Sequence, residues 1–279
     1  MKNLKVNLHI TEKCNYSCRY CFAHFGKHCD LPAESWKHII RNIKSSGIIS
    51  DINFAGGEPV LHRGFYELVD YAKDLGFNVS LITNGSLLLN RQIVKEGLFE
   101  KLTTLGISAD SFNTATLVSL GCCDNQYNVL KLDDLDALVS KAKKENEKIR
   151  IKLNTVVSKL NVNETITQIE DRISVDRWKF LKMKAFKNDH FSNFDLLISD
   201  EEFKEFLLRN QVKKGEAVPE QSLTRSYIMV DNRGNLVDDE GDDYSVVGNL
   251  LNEDFCDVFR RYHFNTELYH SRYKEADAG

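Results

Sequence analysis

The feature that most constrains the fold of this 279-residue chain is a repeated alternation of short apolar runs with segments of helical period. The strand-like runs lie near residues 4–11, 51–54, 78–83, 149–157 and 177–180, with another that ends at Asp110. Such repeats are typical of a parallel sheet covered by helices. We therefore predict an α/β fold, a partial (βα)6 TIM-like barrel over residues 1–185, with residues 186–279 as an extension that closes one side.

Helical period marks most segments between these runs. Apolar faces predict helices around Trp36–Ile43, Phe65–Ala72 and Val129–Ala142, a weaker helix at Arg91–Glu96, and a return helix over Val162–Ile173. Ser199 begins a capping-box pattern that predicts a further helix. Two strands are predicted around a turn at 232–234.

Polar and glycine-rich clusters follow the predicted strands. A cysteine loop follows the first strand, Gly56-Gly57-Glu58-Pro59 the second and Asn84-Gly85 the third, while Ser108 and Asp110 end the fourth. In parallel α/β folds, ligands bind at the carboxyl ends of the strands. We therefore expect these clusters to meet at one rim.

The cysteine loop holds Cys14, Cys18 and Cys21. Thiolates favour zinc or iron–sulfur centres. A structural zinc needs four protein ligands, and no nearby pair of His or Cys residues supplies the second half of such a ligand set. Three thiolates on a cubane cluster leave one iron free for another ligand, while zinc and unrelated buried thiols stay open as alternatives. The cysteines without ligand spacing to this triplet are interpreted as ordinary thiols: Cys29, Cys122, Cys123 and Cys256.

Two predicted strands carry cations at alternate positions. Residues two apart in a strand share a face, so Arg150, Lys152 and Asn154 point one way, as do Arg177 and Lys179 on the next strand. Burying like charges unpaired is prohibitive, so an interior cluster of cations predicts an anionic ligand. The alternative is that these cations are solvated or paired with Asp and Glu.

Composition bears on partners and compartment. A formal net charge of −4 gives no global attraction to nucleic acid or to an anionic membrane, and we predict neither as a partner. We find no signal peptide and no apolar stretch long enough to cross a membrane. Seven cysteines, an odd number, do not indicate a disulfide framework, so we expect a cytoplasmic protein.

The spacing Cys14-x-x-x-Cys18-x-Tyr20-Cys21 resembles the cluster motif of the radical S-adenosylmethionine (SAM) enzymes. The resemblance implies a [4Fe–4S] cluster on the three cysteines, SAM on the open iron, and an external electron donor of the flavodoxin or ferredoxin type. Reductive cleavage of SAM in that family gives a 5′-deoxyadenosyl radical. The residues implied to bind the cofactor are Tyr20, Gly56, Gly57, Glu58, Asn84 and Ser108.

Longer motifs narrow the resemblance to the viperins. They lie at residues 7–9, 53–59, 83–87, 107–112, 152–154, 175–179 and 226–228. The resemblance implies conversion of a ribonucleoside triphosphate to its 3′-deoxy-3′,4′-didehydro form, a chain terminator for viral polymerases. In this reaction the radical removes the ribose C4′ hydrogen, the 3′-hydroxyl leaves as water, and an electron and a proton are added.

The viperin resemblance also implies roles for residues inside the barrel. Lys152, Arg177 and Lys179 would bind the triphosphate, and Asn7 and Asn154 would hydrogen-bond the nucleotide. The residue implied to lie beside the ribose, and the candidate catalytic donor in the second half of the reaction, is Tyr227.

Two positions depart from the viperin pattern. Gly121-Cys122-Cys123 stands where viperins carry a glycine-arginine pair whose arginine meets the SAM carboxylate, and Lys131 is a candidate substitute. Asp51 stands where viperins have a lysine, and an acid there would repel a triphosphate unless it faces away or binds a cation. Two alternatives stay open: a radical SAM enzyme for another phosphorylated or acidic substrate, and an iron–sulfur redox sensor without catalysis.

Overall fold

The structure, a computed structural model, describes residues 3–23, 30–90, 92–169, 171–188, 191–241 and 243–274. The described strands are β1 (Leu4–His9), β2 (Ile49–Ala55), β3 (Asn78–Thr83), β4 (Thr104–Ser108), β5 (Arg150–Val157), β6 (Arg177–Lys182), β7 (Lys187–Asn188), β8 (Phe191–Ser192), β9 (Gly215–Val218), β10 (Ile228–Val230), β11 (Asn235–Asp238) and β12 (Ser245–Asn249). The described α-helices are α1 (Ala33–Ser45), α2 (Phe65–Asp74), α3 (Thr114–Ser119), α4 (Leu132–Glu145), α5 (Asp200–Arg209), α6 (Phe255–Arg261) and α7 (Thr266–Lys274).

The main sheet follows the order β12-β11-β10-β1-β2-β3-β4-β5-β6-β9. Strands β1 to β6 are parallel neighbours in chain order, as the repeat pattern predicts. In a flat sheet β1 and β6 would lie roughly 24 Å apart, at about 4.8 Å per strand. Burial lowers the pKa of Lys5 on β1, and the charges of Arg177 and Lys179 on β6 lower it further. The sheet is therefore curved, and these side chains face a common interior.

Helices cover the outer face of this sheet. The predicted apolar faces of α1, α2 and α4 are confirmed, because each one is buried in the core. Leu4, Val6 and Leu8 of β1 are fully buried against them. The alternate residues of the strands are thereby turned towards the interior of the curved sheet.

Two predicted helices are wrong. Residues 92–98 form turns before a 3-10 turn at Phe99–Lys101. The Asn90 side chain accepts the Gln92 amide proton, and the Asn90 carbonyl accepts those of Ile93 and Val94, a single turn that is not continued as a helix. The return helix predicted after β5 is reduced to a 3-10 turn at Thr167–Ile169. The Asn210 side chain bonds the backbone of Glu164 and Ile166 there, which removes partners that a helix would need.

The carboxyl-terminal part of the chain adds strands at both edges of the sheet. β9 pairs with β6 at one edge, and β10 pairs with β1 towards the other. β10 and β11 form the predicted antiparallel pair, and Ser199 with Glu202 forms the predicted capping box of α5. The predicted boundary between residues 185 and 186 stays a prediction. No helix in the described ranges has the length and apolar character needed to span a membrane.

Candidate active site

The loop after β1 brings Cys14, Cys18 and Cys21 to the carboxyl end of the sheet. Cys14 is exposed, and the other two are half-buried. The loop is tied to the segment after α3, because the Ser17 amide donates to the Gly121 carbonyl at 3.1 Å and the Arg19 amide donates to Leu120 at 2.8 Å. The sulfur atoms therefore project from a loop whose backbone is fixed by a second loop of the same rim.

A second support of the cysteine loop is the glycine turn after β2. The Gly57 amide donates to the Thr11 carbonyl at 2.6 Å, and the Glu58 amide donates to Lys13 at 2.8 Å. A Cβ atom at Gly56 would lie 2.4 Å from the Thr11 oxygen, and one at Gly57 would lie 2.4 Å from the Lys13 oxygen. Only glycine permits this approach of two backbones. The two glycines thus hold the start of the cysteine loop.

Glu58 and Asn84 link the glycine turn to the end of β3. Glu58 is fully buried and accepts hydrogen bonds from the Thr83 hydroxyl and the Asn84 amide, each at 2.9 Å. Burial raises the pKa of its carboxyl to about 7. The Asn84 side-chain amide donates to Asn15 at 3.0 Å and lies 3.8 Å from the Cys14 sulfur. The Glu58 carboxylate is therefore turned into the protein, and the Asn84 carboxamide lies against a predicted cluster ligand.

Tyr20 lies between the cysteine loop and the end of β4. Its hydroxyl donates to Asp110 and lies 3.3 Å from the Cys122 sulfur. Burial raises the pKa of Asp110 to about 6, while its carboxylate accepts the Val156 amide proton at 2.7 Å. Cys122 is 5% exposed, so the residue at the arginine position of viperins is a buried thiol within this network. The proposed substitute, Lys131, is an exposed residue at the start of α4.

The thiol loop fits an iron–sulfur cluster. Its donors are thiols alone, the ligand type of such clusters. Burial raises the pKa of the Cys21 thiol to about 12, and a bound metal ion favours the thiolate form of such a ligand. Within the described ranges, no three His, Cys, Asp or Glu side chains are grouped to hold one metal ion. The ligands of a four-iron cluster bind separate iron atoms and need not converge on one point.

The interior of the curved sheet carries the predicted cations. Lys152 lies opposite Arg177, and Asn154 lies opposite Lys179 in the register of β5 and β6. On its other side Asn154 lies opposite Ser108, the last residue of β4. The substrate residues predicted on these strands are therefore adjacent on one wall, which leads up to the rim.

The cations of this wall are only partly neutralised. Glu216 on β9 lies 2.5 Å from Arg177 and 3.2 Å from Lys179, which is 3% exposed. Lys152, half-buried, forms no ion pair with any residue in the described part of the chain. Burial lowers its pKa well below the usual range, and the charges of Lys179 and Arg177 lower it further. The paired alternative is thus correct for two of the cations, and Lys152 lacks such a partner.

Asn7 and Tyr227 lie on the other side of the interior. Asn7 accepts a hydrogen bond from Asn53 at 2.7 Å and donates to the Ile228 carbonyl at 3.3 Å. Asn53 is 7% exposed, and its Oδ1 has no hydrogen-bond partner in the described structure. Tyr227 immediately precedes β10 and shares by alternation the face of Met229, which pairs with Asn7. Both predicted nucleotide contacts therefore lie on the interior face.

Asp51 does not face away from this interior. It lies opposite Lys5 on β1, and the Lys5 Nζ is 3.9 Å from its Oδ1. An acid at this position is therefore accompanied by a cation from the neighbouring strand.

Comparison with known proteins identifies the family. Residues 8–121 match the Radical SAM superfamily. Over 269 residues the chain is 55% identical to a protein of Selenomonas ruminantium named S-adenosylmethionine-dependent nucleotide dehydratase, a match that covers 96% of this chain and 98% of that protein. The chain belongs to this family of nucleotide dehydratases.

Two further matches extend the comparison. The chain is 32% identical over 246 residues to the S-adenosylmethionine-dependent nucleotide dehydratase RSAD2 of Oncorhynchus mykiss, covering 84% of this chain and 68% of the trout protein. The crystal structure of Streptococcus suis SuiB bound to S-adenosylmethionine superposes with a TM-score of 0.66 at 16% identity, covering 97% of this chain and 68% of SuiB. This second likeness shows the fold alone.

Family membership confirms several predictions. The resemblance to radical SAM enzymes and viperins is confirmed, as is the α/β fold. The chain is an enzyme of the nucleotide dehydratase type, and the cofactors of its superfamily are SAM and a [4Fe–4S] cluster. The roles assigned to individual residues stay predictions, and Cys29 lies outside the described residues.

Sequence reasoning missed three residues of the interior. Lys5 and Asn53 alternate with Asn7 and Asp51 on predicted strands, so the period that located Lys152 and Asn154 would also have located them. Glu216 carried no such signal. Its strand, β9, lies where the periodic pattern is weak, and only the sheet pairing places it beside β6.

Proposed function

We propose that the protein converts a ribonucleoside triphosphate to its 3′-deoxy-3′,4′-didehydro analogue. The observation that carries this proposal is Lys152, a half-buried cation without an ion pair among the described residues, on the wall that also holds Arg177 and Lys179. Charges of one sign in a pocket of low dielectric are stabilised by an anion of opposite charge. A triphosphate provides several such charges in a row.

Different residues of the interior bind different parts of the substrate. Lys152, Arg177 and Lys179 bind the triphosphate, with Glu216 holding the last two in place by its ion pairs. Asn7 on β1 and Asn154 on β5 both point into the interior and form hydrogen bonds with the nucleoside. The ribose thereby lies between the cationic wall and the rim, within reach of the cofactor loop.

The rim residues hold the cofactors. Cys14, Cys18 and Cys21 would hold the cluster, and the glycine turn with Tyr20, Asn84 and Ser108 would bind SAM. When bound, these cofactors would supply the 5′-deoxyadenosyl radical needed to remove the ribose C4′ hydrogen. Tyr227 holds a proton on the interior face near Asn7 and is the donor for the water that leaves from C3′, while one electron is taken up from outside.

The source of that electron is a reduced flavodoxin or ferredoxin, and the reaction takes place in the cytoplasm. Radical SAM enzymes in general receive their electron from such an external carrier. A thiol-ligated cluster with one open iron also requires a reducing compartment.

An assay with four ribonucleotides tests the proposal. Anaerobically reduced enzyme is incubated with SAM and with ATP, CTP, GTP or UTP, and 5′-deoxyadenosine and nucleotide products are measured. We expect at least one triphosphate to accelerate 5′-deoxyadenosine formation and to yield a product lighter by one water. The corresponding monophosphate should accelerate it far less, because it lacks the charges that Lys152 and its neighbours bind. If no triphosphate accelerates cleavage above the rate without nucleotide, the proposal is wrong.

A further inference from the structure

The ion pair between Lys5 and Asp51 is produced by a shift in strand register. Leu4 of β1 lies opposite Ile49 of β2, but the next residue, Lys5, lies opposite Asp51, so Ser50 has no partner on β1. An extra residue of this kind changes the direction in which the following side chains point. Here the shift keeps Ile49 buried in the outer core and turns Asp51 to the interior face beside Lys5.

Lys5 belongs electrostatically to the cationic wall. It shares the face of Asn7, and the charges of Arg177, Arg150 and Lys179 all act on it. Lys152 in turn is affected by the charge of Lys5. One step along the same strand pair, the buried Asn53 Oδ1 has no hydrogen-bond partner among the described residues. The β1–β2 side of the interior therefore has the features of a ligand-binding surface.

The two groups of the pair are held differently. Asp51 is fixed, because its Oδ2 accepts hydrogen bonds from the Ser50 hydroxyl at 2.5 Å and from the Asn78 amide at 3.5 Å. The Lys5 Nζ lies 3.9 Å from Oδ1, within reach of its charge but beyond hydrogen-bond distance. Both side chains are about one quarter exposed, at 23% and 24%. The N–H groups of Lys5 are thus available to a ligand in the pocket.

We propose that Lys5 contacts the phosphates of the bound nucleotide and that Asp51 is the residue that positions Lys5 for this contact. The inference rests on the proposed function, since it assigns a further residue to the same substrate. It also explains why an acid stands near a predicted triphosphate. Asp51 and Lys5 together add no net charge. The Asp51 carboxylate attracts the Lys5 ammonium group, whose N–H groups donate hydrogen bonds to the phosphates.

Binding measurements on the cluster-loaded enzyme test the contact. Lys5→Met keeps the length of the side chain and removes its charge. We expect it to weaken binding of the preferred ribonucleoside triphosphate by about tenfold, the factor that one charge-assisted hydrogen bond supplies. Binding of the nucleoside without phosphates should change by less than about twofold, a factor below the contribution of one hydrogen bond. Lys73→Met, an exposed lysine of α2, is the matched control and should leave both affinities unchanged.

A double substitution tests the pairing of Lys5 with Asp51. In the Lys5→Met background Asp51 is left as an unneutralised acid, so adding Asp51→Asn should recover part of the lost triphosphate affinity. Full recovery to the wild-type value would show that Lys5 only neutralises Asp51, and would overturn the phosphate contact. No recovery would overturn the pairing. Thermal unfolding of each variant, expected to match wild type within a few degrees, shows that a lost affinity is not a lost fold.

Lys152→Met and Lys179→Met separate this inference from the proposed function. If these variants bind the triphosphate more weakly and Lys5→Met does not, the role of Lys5 is wrong and the triphosphate pocket stands. If none of the three variants changes triphosphate binding, the proposed substrate pocket itself is wrong.

Discussion

The rim and the interior wall of this protein are built in different ways. At the rim, Gly57 and Glu58 fix the start of the cysteine loop through backbone hydrogen bonds, and the Asn84 side chain donates to the side chain of Asn15 within it. The interior wall instead uses charged side chains that come from distant strands, such as Lys152 of β5 and Lys5 of β1. The rim depends on local loop geometry, and the wall depends on how the sheet is assembled.

This difference separates the two tasks of the enzyme family. A loop held by backbone contacts can position a cluster and SAM without reference to the substrate. A wall of cations can select an anionic substrate without touching the sulfur ligands. Substitutions in one region should therefore leave the task of the other region intact. The predictions for Cys18 and Lys179 test that separation, and those for Gly57 and Glu58 test how the rim is held.

The largest effect is expected for Cys18→Ala. It removes a thiolate from the rim, so the broad visible absorption of the cluster and all SAM cleavage should be lost. Triphosphate binding should remain within about threefold of wild type, less than one charge-assisted hydrogen bond supplies, because the wall is unchanged. The matched control is Cys256→Ala on α6, which should keep cluster, cleavage and binding. Ultraviolet–visible spectra, iron content and equilibrium binding make the comparison, and a Cys18→Ala protein with a full cluster would contradict the ligand assignment.

A smaller but severe effect is expected for Gly57→Ala. The added Cβ would lie 2.4 Å from the Lys13 oxygen and 2.7 Å from the Glu12 oxygen, so the cysteine loop must move. We expect a loss of about 2–4 kcal/mol in the free energy of unfolding, together with reduced iron content. Gly47→Ala is the control, since its Cβ meets no atom within 4 Å and only the positive φ is strained. Equal iron content and stability in the two variants would show that the glycine turn does not hold the loop.

On the wall, Lys179→Met should weaken triphosphate binding by about 30-fold, near 2 kcal/mol, because one charge-assisted contact is lost. Uncoupled SAM cleavage should continue, because the rim is unchanged. The neighbouring Trp178→Phe is the control on the opposite face of β6: it removes a buried hydrogen bond of 2.9 Å to Thr155. That variant should lose stability but bind triphosphate normally. Unchanged affinity in Lys179→Met would count against the cationic pocket.

The last effect depends on pH and concerns Glu58. Its pKa is about 7 in the folded protein against an ordinary value of 4.5, so the native state keeps a proton that the unfolded state releases between these values. The free energy of unfolding should therefore fall as pH rises from 4.5 to about 7, by on the order of 1 kcal/mol per pH unit. Glu58→Gln should lack this contribution, and Glu201→Gln on the exposed face of α5 should keep it. Denaturant unfolding at several pH values measures the difference, and identical slopes in wild type and Glu58→Gln would contradict the burial of an ionisable carboxyl.

Most of the sheet and the rim could be predicted from the sequence because their signals are local. The apolar faces of α1, α2 and α4 repeat within a few residues, and the rim motifs directly follow their strands. The predicted helix at Val162–Ile173 failed because the Asn210 side chain, more than 30 residues away, takes over backbone groups of Glu164 and Ile166. Local periodicity contains no information about such a partner.

The sequence by itself determined which side chains alternate on β5 and β6 and which cysteines share a loop, since both depend only on spacing along the chain. The tertiary structure decided which charges meet. Glu216 reaches Arg177 and Lys179 because β9 is added beside β6, and Asp51 reaches Lys5 because the register of β2 shifts at Ser50. Electrostatic interactions depend on distance in space, and strands far apart in sequence become neighbours only when the sheet forms.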